Sequence, residues 1–258
     1  MINSSEALDK IKAADISIFT VPTSTYPEDK STLLKVQQLV QSEITDYNFL
    51  EVGSYRGGAL VPHLLSPLCK AVYSIDKRPK STPDERGINF SYEEVSTRDM
   101  IGFLLQQVPE VHLSKLHTFD SDSSEAVPNI NEKIDFAFID GEHKVKATIR
   151  DFLSVYPCLS KNAFVAFHDA NLIIDAIHSV KLFLDYLNVN AKVFLLPQVV
   201  AVVAIGDYVQ VAEAKFASIA YDEAAFELKA KADLHEEFVA HKRAAKNAHD
   251  ALLASQEK

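Results

Sequence analysis

The chain has 258 residues, 47% of them hydrophobic, which suits one large α/β domain with an appendage or two small domains and excludes wholesale disorder. A formal net charge of −10 argues against a broad phosphate-binding surface and so against a nucleic-acid substrate. Cys69 and Cys158 sit in apolar surroundings with neither metal-ligand nor disulfide spacing, residues 1–10 hold no hydrophobic signal core, and no apolar run approaches the ~18–20 residues that span a bilayer, so a cytoplasmic location is expected.

In chain order, residues 4–14 read as a short helix capped by Ser4 or Ser5. Residues 16–21 read as a strand or an extended arm, and residues 20–29, with two prolines and several hydroxyls, as a loop. Leu33, Leu34, Val36, Leu39, Val40 and Ile44 fall on one face of a helix over residues 31–44. A short apolar strand over residues 49–52 then runs into a glycine-rich turn, where Glu51, Gly53 and Gly57 spell E-x-G-x-x-x-G, followed by an amphipathic segment over residues 59–68. Glycines there let the backbone turn sharply and approach a ligand. A helix opening after the turn would point free N–H groups at that ligand.

A dinucleotide site needs G-x-G-x-x-G after the strand. Glu51 stands two positions before Gly53, where that fingerprint has glycine. A carboxylate there repels a pyrophosphate but attracts the cationic amino-acid end of S-adenosylmethionine, directly or through water. A nicotinamide-dependent oxidoreductase is disfavoured on the same ground. Residues 71–75 form a second buried strand ending in Asp76, 25 positions after Glu51, about the repeat that sets an acid beside a bound ribose.

Residues 77–89, rich in proline and charge, read as a loop, and residues 91–108 as mostly helix. A third strand over residues 116–119 leads into the polar turn at Asp120 and Ser121. A fourth, apolar through Phe138 and Ile139, ends in Asp140, with Glu142 and His143 on the adjoining loop before a helix over residues 144–156. A fifth, over residues 163–167, ends in His168 and Asp169. Strands four and five should be neighbours in one parallel sheet, which brings Asp140 and Asp169 together. A helix over residues 172–187 precedes two strands, residues 192–196 and 199–205, split by Pro197 and Gln198 and suggesting an antiparallel end to the sheet. The count is seven strands with interleaved helices, an α/β, doubly wound, mostly parallel layout. From residue 213 onward the chain is rich in Ala, Glu and Lys without Gly or Pro, and Phe226, Ala230, Leu234, Phe238, Ala245, Ala248 and Leu252 keep an approximate 3–4 spacing. This C-terminal helical extension is expected to pack on the domain, to pair with a copy of itself as a homo-oligomer, or to stand in solvent.

The stretch from Phe138 to His143, the helix containing Arg150-Asp151-Phe152, and the stretch from Phe164 to Asp169 resemble the class I S-adenosylmethionine-dependent methyltransferases. Within these they are similar to the family that includes macrocin-type sugar O-methyltransferases and cephalosporin-hydroxylase-like proteins. The resemblance implies a Rossmann-like domain over residues 31–206, with an arm at 1–30 and the extension at 213–258. It implies methyl transfer from S-adenosylmethionine to a hydroxyl of a sugar or other small molecule. Cofactor contacts are expected at Glu51, Gly53, Ser54, Tyr55, Gly57 and Asp76, with Asp120 or Ser121 at the adenine. Asp140, His143 and Asp169 are the catalytic candidates, His143 as general base. Several relatives hold Mg²⁺ on strand-end acids, a role that Asp140 and Asp169, with Asn171 as a third ligand, match in part. The stretch His168-Asp169-Ala170-Asn171 stands in this chain where those relatives tend to have adjacent acids. The alternative reading is a catalytically inactive, methyltransferase-like scaffold that assembles through its helical extension.

Overall fold

Among the described residues of the computed structural model there are nine strands: β1 (Tyr47–Val52), β2 (Cys69–Ile75), β3 (Ser81–Pro83), β4 (Asn89–Ser91), β5 (Leu116–Phe119), β6 (Ile134–Ile139), β7 (Leu159–Phe167), β8 (Ala191–Leu195) and β9 (Ala201–Ile205). The helices are α1 (Ser4–Lys12), α2 (Pro27–Glu43), α3 (Val61–Leu65), α4 (Thr97–Gln107), α5 (Glu110–Leu113), α6 (Ser123–Ala126), α7 (Val145–Val155), α8 (Ile174–Tyr186), α9 (Tyr208–Phe216) and α10 (Glu223–Gln256). The structure describes residues 2–256, the side chains of residues 90, 233, 237, 238, 241, 244, 245 and 248–256 excepted.

Seven strands form one sheet in the order β5-β2-β1-β6-β7-β9-β8. Every neighbouring pair is parallel except the two that involve β9, which runs against both β7 and β8. The central strands are apolar on both faces because helices cover both. Phe49, Phe136, Phe138 and Phe164 enter a core shared with α2 and α9. Their alternates Leu50, Ala137, Ile139 and Val165 enter a second core with α7, α8 and the start of α10. Full burial of such a phenylalanine is worth about 1.5–3 kcal/mol.

The register sets the strand ends level. Val52 pairs with Ile139, and Ile139 with Phe167. Backbone bonds continue past the ladder, from Gly53 N–H to Ile75 O (2.8 Å), Asp140 N–H to Val52 O (2.8 Å) and His168 N–H to Ile139 O (3.1 Å). Gly53, Asp140 and His168 therefore stand side by side at the carboxyl edge, where open α/β sheets bind ligands.

Several local expectations need correction. Helix α2 starts at Pro27 rather than residue 31, with proline in its first turn. Residues 16–18 form a 3₁₀ turn, capped by Asp15 accepting from Ser17 N–H, and not a strand. After the glycine turn the helix is only Val61–Leu65, ending before Ser66-Pro67, because a residue before proline avoids the helical region. Within residues 77–91 the chain makes the antiparallel hairpin β3–β4 in place of a plain loop. The C-terminal extension is two helices. Phe226 and Ala230 of α10 are buried in the second core, whereas Leu228 is exposed and Leu234 half-buried. The packing of Phe238, Ala245, Ala248 and Leu252 lies outside the described residues. Among the described residues no helix is long and apolar enough to cross a membrane.

Candidate active site

A cavity of about 500 Å³ opens at the carboxyl edge, bounded by the ends of β1, β2, β6 and β7. Residues 22–24 and Tyr26 of the arm and Thr82, Arg86 and Tyr92 around the hairpin form its outer walls.

Glu51, the penultimate residue of β1, stands at one side of this cavity. It is 2% exposed, and its Oε2 has no hydrogen-bond partner. Burial, then the charges of Asp140 and Asp76, push its pKa well above the usual carboxylate range, so the side chain is poised for a cation that would restore its charge. Gly53 is held at φ +94° because a Cβ there would lie 2.1 Å from Asp140 O, so only glycine lets the turn close on the end of β6. Tyr55 takes φ +43°, and its N–H donates to Asp76 Oδ2 (2.7 Å), while Asp76 Oδ1 accepts from Arg78 N–H (2.7 Å). Each Asp76 oxygen keeps a lone pair free for a ligand hydroxyl. Arg78, unremarked in the sequence, is the keystone of this corner: its guanidinium donates to Tyr55 O (2.7 Å), Val95 O (3.3 Å) and Thr97 Oγ1 (2.8 Å). Ser54 is buried and accepts from Ser74 Oγ (2.8 Å).

Two expected cofactor residues are not in the cavity wall. Gly57 turns under, packed on Met100 and Leu104. Asp120 is exposed, bonded by the Thr97 hydroxyl. Ser121, Asp122 and Ser123 line the wall there, and Ser123 Oγ donates to Asp151 (2.7 Å), a carboxyl only 3% exposed whose pKa burial raises.

At the other side four groups converge. His143 Nδ1 lies 2.9 Å from Asp169 Oδ2, and its Nε2 lies 3.5 Å from Asp140 Oδ1. His168 Nδ1 lies 3.2 Å from Asp140 Oδ1 and 3.3 Å from Asp169 Oδ2. Burial opposes charge on His143, but the two carboxylates outweigh it and raise its pKa to about 10. The same balance raises His168 and lowers Asp140 and Asp169. The two carboxylates therefore favour the imidazolium form of His143, against the neutral base the sequence suggests. Nor does it cap α7: Lys144 holds that position without a side-chain bond, and the Val145 N–H is taken by Glu85 Oε2 (2.9 Å) from the hairpin turn. Asp169 sits at φ +51°, a strained conformation for a non-glycine, which aims its carboxylate into the cluster. Asn171 lines the cavity with a buried Oδ1 that has no hydrogen-bond partner.

One buried carboxylate escaped the sequence reading. Asp29, in the first turn of α2, is 0% exposed and sits 3.6 Å from His168 Nε2. Its Oδ1 accepts from Val199 N–H (3.2 Å), whereas Oδ2 has no hydrogen bond. Reading residues 20–29 as a loop hid it, although Pro27 at a helix start was a usable signal.

A sheet of this order, with one reversed strand beside the last parallel one and a cavity at the carboxyl edge, defines the class I methyltransferase fold, whose methyl donor is S-adenosylmethionine. Residues 50–170 match a family model described as a methyltransferase domain. The cofactor-bound structure of Rv0187 from MTB is similar at 10% identity and TM-score 0.52, covering 77% of this chain and 89% of that one. CalS11, a calicheamicin methyltransferase, aligns at 19% identity and TM-score 0.49 over 79% of this chain and 93% of its own. An O-methyltransferase from Bacillus cereus in complex with SAH aligns at 13% identity and TM-score 0.48 over 80% and 92%. No curated protein matches the sequence significantly.

Proposed function

We propose that this chain transfers the methyl group of S-adenosylmethionine to a hydroxyl oxygen of a small molecule, such as a sugar. The observation that carries this reading is the single cavity running from Glu51 and Asp76 to the cluster of Asp140, His143 and Asp169. Glu51 faces the amino-acid end of the cofactor, Asp76 its ribose hydroxyls, and Ser121 its adenine. The acceptor oxygen attacks the sulfonium methyl, a C–O bond forms as the C–S bond breaks, and S-adenosylhomocysteine leaves as a neutral thioether. The hydroxyl proton passes into the cluster. A sulfonium beside His143 disfavours the imidazolium and so turns it toward the neutral form that accepts a proton.

Mg²⁺ takes oxygen ligands in near-octahedral geometry. Any ion between Asp140 and Asp169 meets imidazole nitrogens that lie 2.9–3.5 Å from those carboxylates. The residues do not fit Mg²⁺, and no step is routed through it. Calorimetric titration with S-adenosylmethionine, followed by transfer of its labelled methyl to a panel of sugars and small phenols, tests the reading. Failure of the intact chain to bind the cofactor would refute it.

A further inference from the structure

We propose that His178, Glu223 and Glu227 form a site for a divalent cation of borderline softness, in the class of Zn²⁺, and that the ion clasps α10 to α8. Glu223 and Glu227 stand one turn apart on α10 and so share a face of that helix. His178 reaches them from α8. Each of the three residues offers one ligand atom, and these atoms lie within 4.8 Å of one another. His178 Nε2 and Glu223 Oε1 are 2.9 Å apart. Two ligands each ~2.1 Å from one ion stand about 3.0–3.4 Å apart at octahedral to tetrahedral angles. The two glutamates, on long and partly exposed side chains, close the remaining gap by rotation about their own bonds.

A second observation points the same way. His178 Nε2 is closed off from solvent, yet it makes no hydrogen bond, because the Glu223 carboxylate approaches it outside hydrogen-bond geometry. A buried ring nitrogen without a partner costs free energy. An ion shared with that carboxylate supplies the partner at the spacing the two groups already have. Charge adds to the case. Two carboxylates one turn apart on a helix repel each other. Lys231 lies 3.3 Å from Glu227 Oε2 and answers one of the two charges. One imidazole nitrogen and two carboxylate oxygens, with water in the fourth place, make a ligand set for Zn²⁺. Mg²⁺, which asks for six oxygens in near-octahedral order, suits it poorly.

The place of the trio says what the ion does. Phe226 and Ala230 carry the start of α10 into the second core, and Tyr221 N–H donates to Leu195 O (2.8 Å) just ahead of it. Glu223 and Glu227 bracket Phe226 in the chain, so an ion shared with α8 fixes α10 where its aromatic anchor enters the core. Docking of the C-terminal extension then depends on the ion. None of the three residues lines the cavity at the carboxyl edge, and the site stands independently of the proposed reaction.

The test uses the intact chain, freed of metal with a chelator. Zn²⁺ should shift the ring resonances of His178, identified by their loss in His178→Ala. Amide exchange over residues 223–231 should slow about 100-fold at free Zn²⁺ of about 100 times Kd, because the undocked helix releases the ion. Mg²⁺ at the same concentration should do neither. His178→Ala should lose the slowing. Glu227→Gln should weaken the response of the His178 ring to Zn²⁺ by at least about 10-fold. Glu236→Gln, at an exposed position farther along α10, should leave both responses in place. Zn²⁺ that leaves the His178 ring unmoved, slowing that persists in His178→Ala, or Mg²⁺ that acts equally well would each overturn the site. Far-UV circular dichroism of every sample separates a lost site from a lost fold, and Glu227→Gln, altered at a half-buried side chain, decides the matter should His178→Ala fail to fold.

Discussion

Substituting Gly53 probes the junction on which the whole cavity depends. A Cβ at this position would lie 2.1 Å from Asp140 O and 2.5 Å from Asp140 C, both backbone atoms, and the φ of +94° is foreign to an L side chain. Strain of that kind costs roughly 1–2 kcal/mol. Forcing two strand ends apart costs about a further 1–3 kcal/mol. Gly53→Ala should therefore destabilise the chain by about 2–5 kcal/mol, measured as a shift in urea midpoint at unchanged slope. Gly87 separates the two contributions, since it has φ +77° with nothing within 4 Å of its would-be Cβ, so Gly87→Ala should show the strain alone, roughly 1–2 kcal/mol. Gly102 in α4, with open space around it and no positive φ, should instead gain roughly 0.5–1 kcal/mol on becoming alanine. Displacing the turn should also weaken S-adenosylmethionine binding in Gly53→Ala and leave it intact in the other two. A Gly53→Ala variant no less stable than Gly87→Ala would show that the turn does not press on the end of β6.

Asp76→Ala removes both acceptors that tie Tyr55 and Arg78 and should lower cofactor affinity about 10- to 100-fold, at ~1.5–3 kcal/mol for bonds to a charged group, whereas Asp140→Ala should abolish methyl transfer with affinity largely spared; calorimetry beside a transfer assay reads both. His63 is 3% exposed, stacked on Phe49 with centroids 3.5 Å apart and 2.9 Å from the Tyr47 hydroxyl. Burial, assisted by Lys115, holds its pKa well below the usual value of 6.5. The unfolded chain therefore takes up a proton near pH 6.5 that the folded chain refuses, so this contribution is complete above about pH 6.5 and falls by up to ~1.4 kcal/mol per pH unit below it. Between about pH 7.5 and about pH 5.5 the urea midpoint of the unaltered chain should fall relative to that of His63→Gln by this loss, because the raised His143 and His168, which act in the opposite sense, are common to both chains and cancel in the difference. Phe226→Ala should cost about 3–5 kcal/mol because the ring is 1% exposed, while Leu228→Ala, two residues on and 73% exposed, should stay within about 0.5 kcal/mol; equal effects in thermal melts would mean that α10 is not docked.

The sheet was legible because each central strand is an apolar run ending in a polar or glycine residue, and Asp76, Asp140 and Asp169 marked the carboxyl edge before any coordinates did. The close pair of strands around Pro197 and Gln198 likewise announced the reversed β9. The hairpin β3–β4 stayed hidden because strands of three residues carry no alternation to read. Asp29 and His168 were opaque for a different reason. Their meaning lies in a contact spanning 139 positions, between a helix that precedes the sheet and the end of its fifth parallel run. Charge state was illegible too: His143 looks like a near-neutral titrating group until the two carboxylates beside it are seen.

Glu85 links two things that are separate in sequence. Its carboxylate accepts from the first N–H of α7, and its own N–H donates to His143 O (2.9 Å). Helix α7, having no cap of its own, borrows one from the tip of the hairpin that walls the cavity. A change of acceptor preference that reshapes the hairpin is thereby felt at the root of α7 and in the backbone that carries His143. In the proposed reaction, the wall that would meet the acceptor and the backbone that carries His143 are thus tied through one side chain, Glu85.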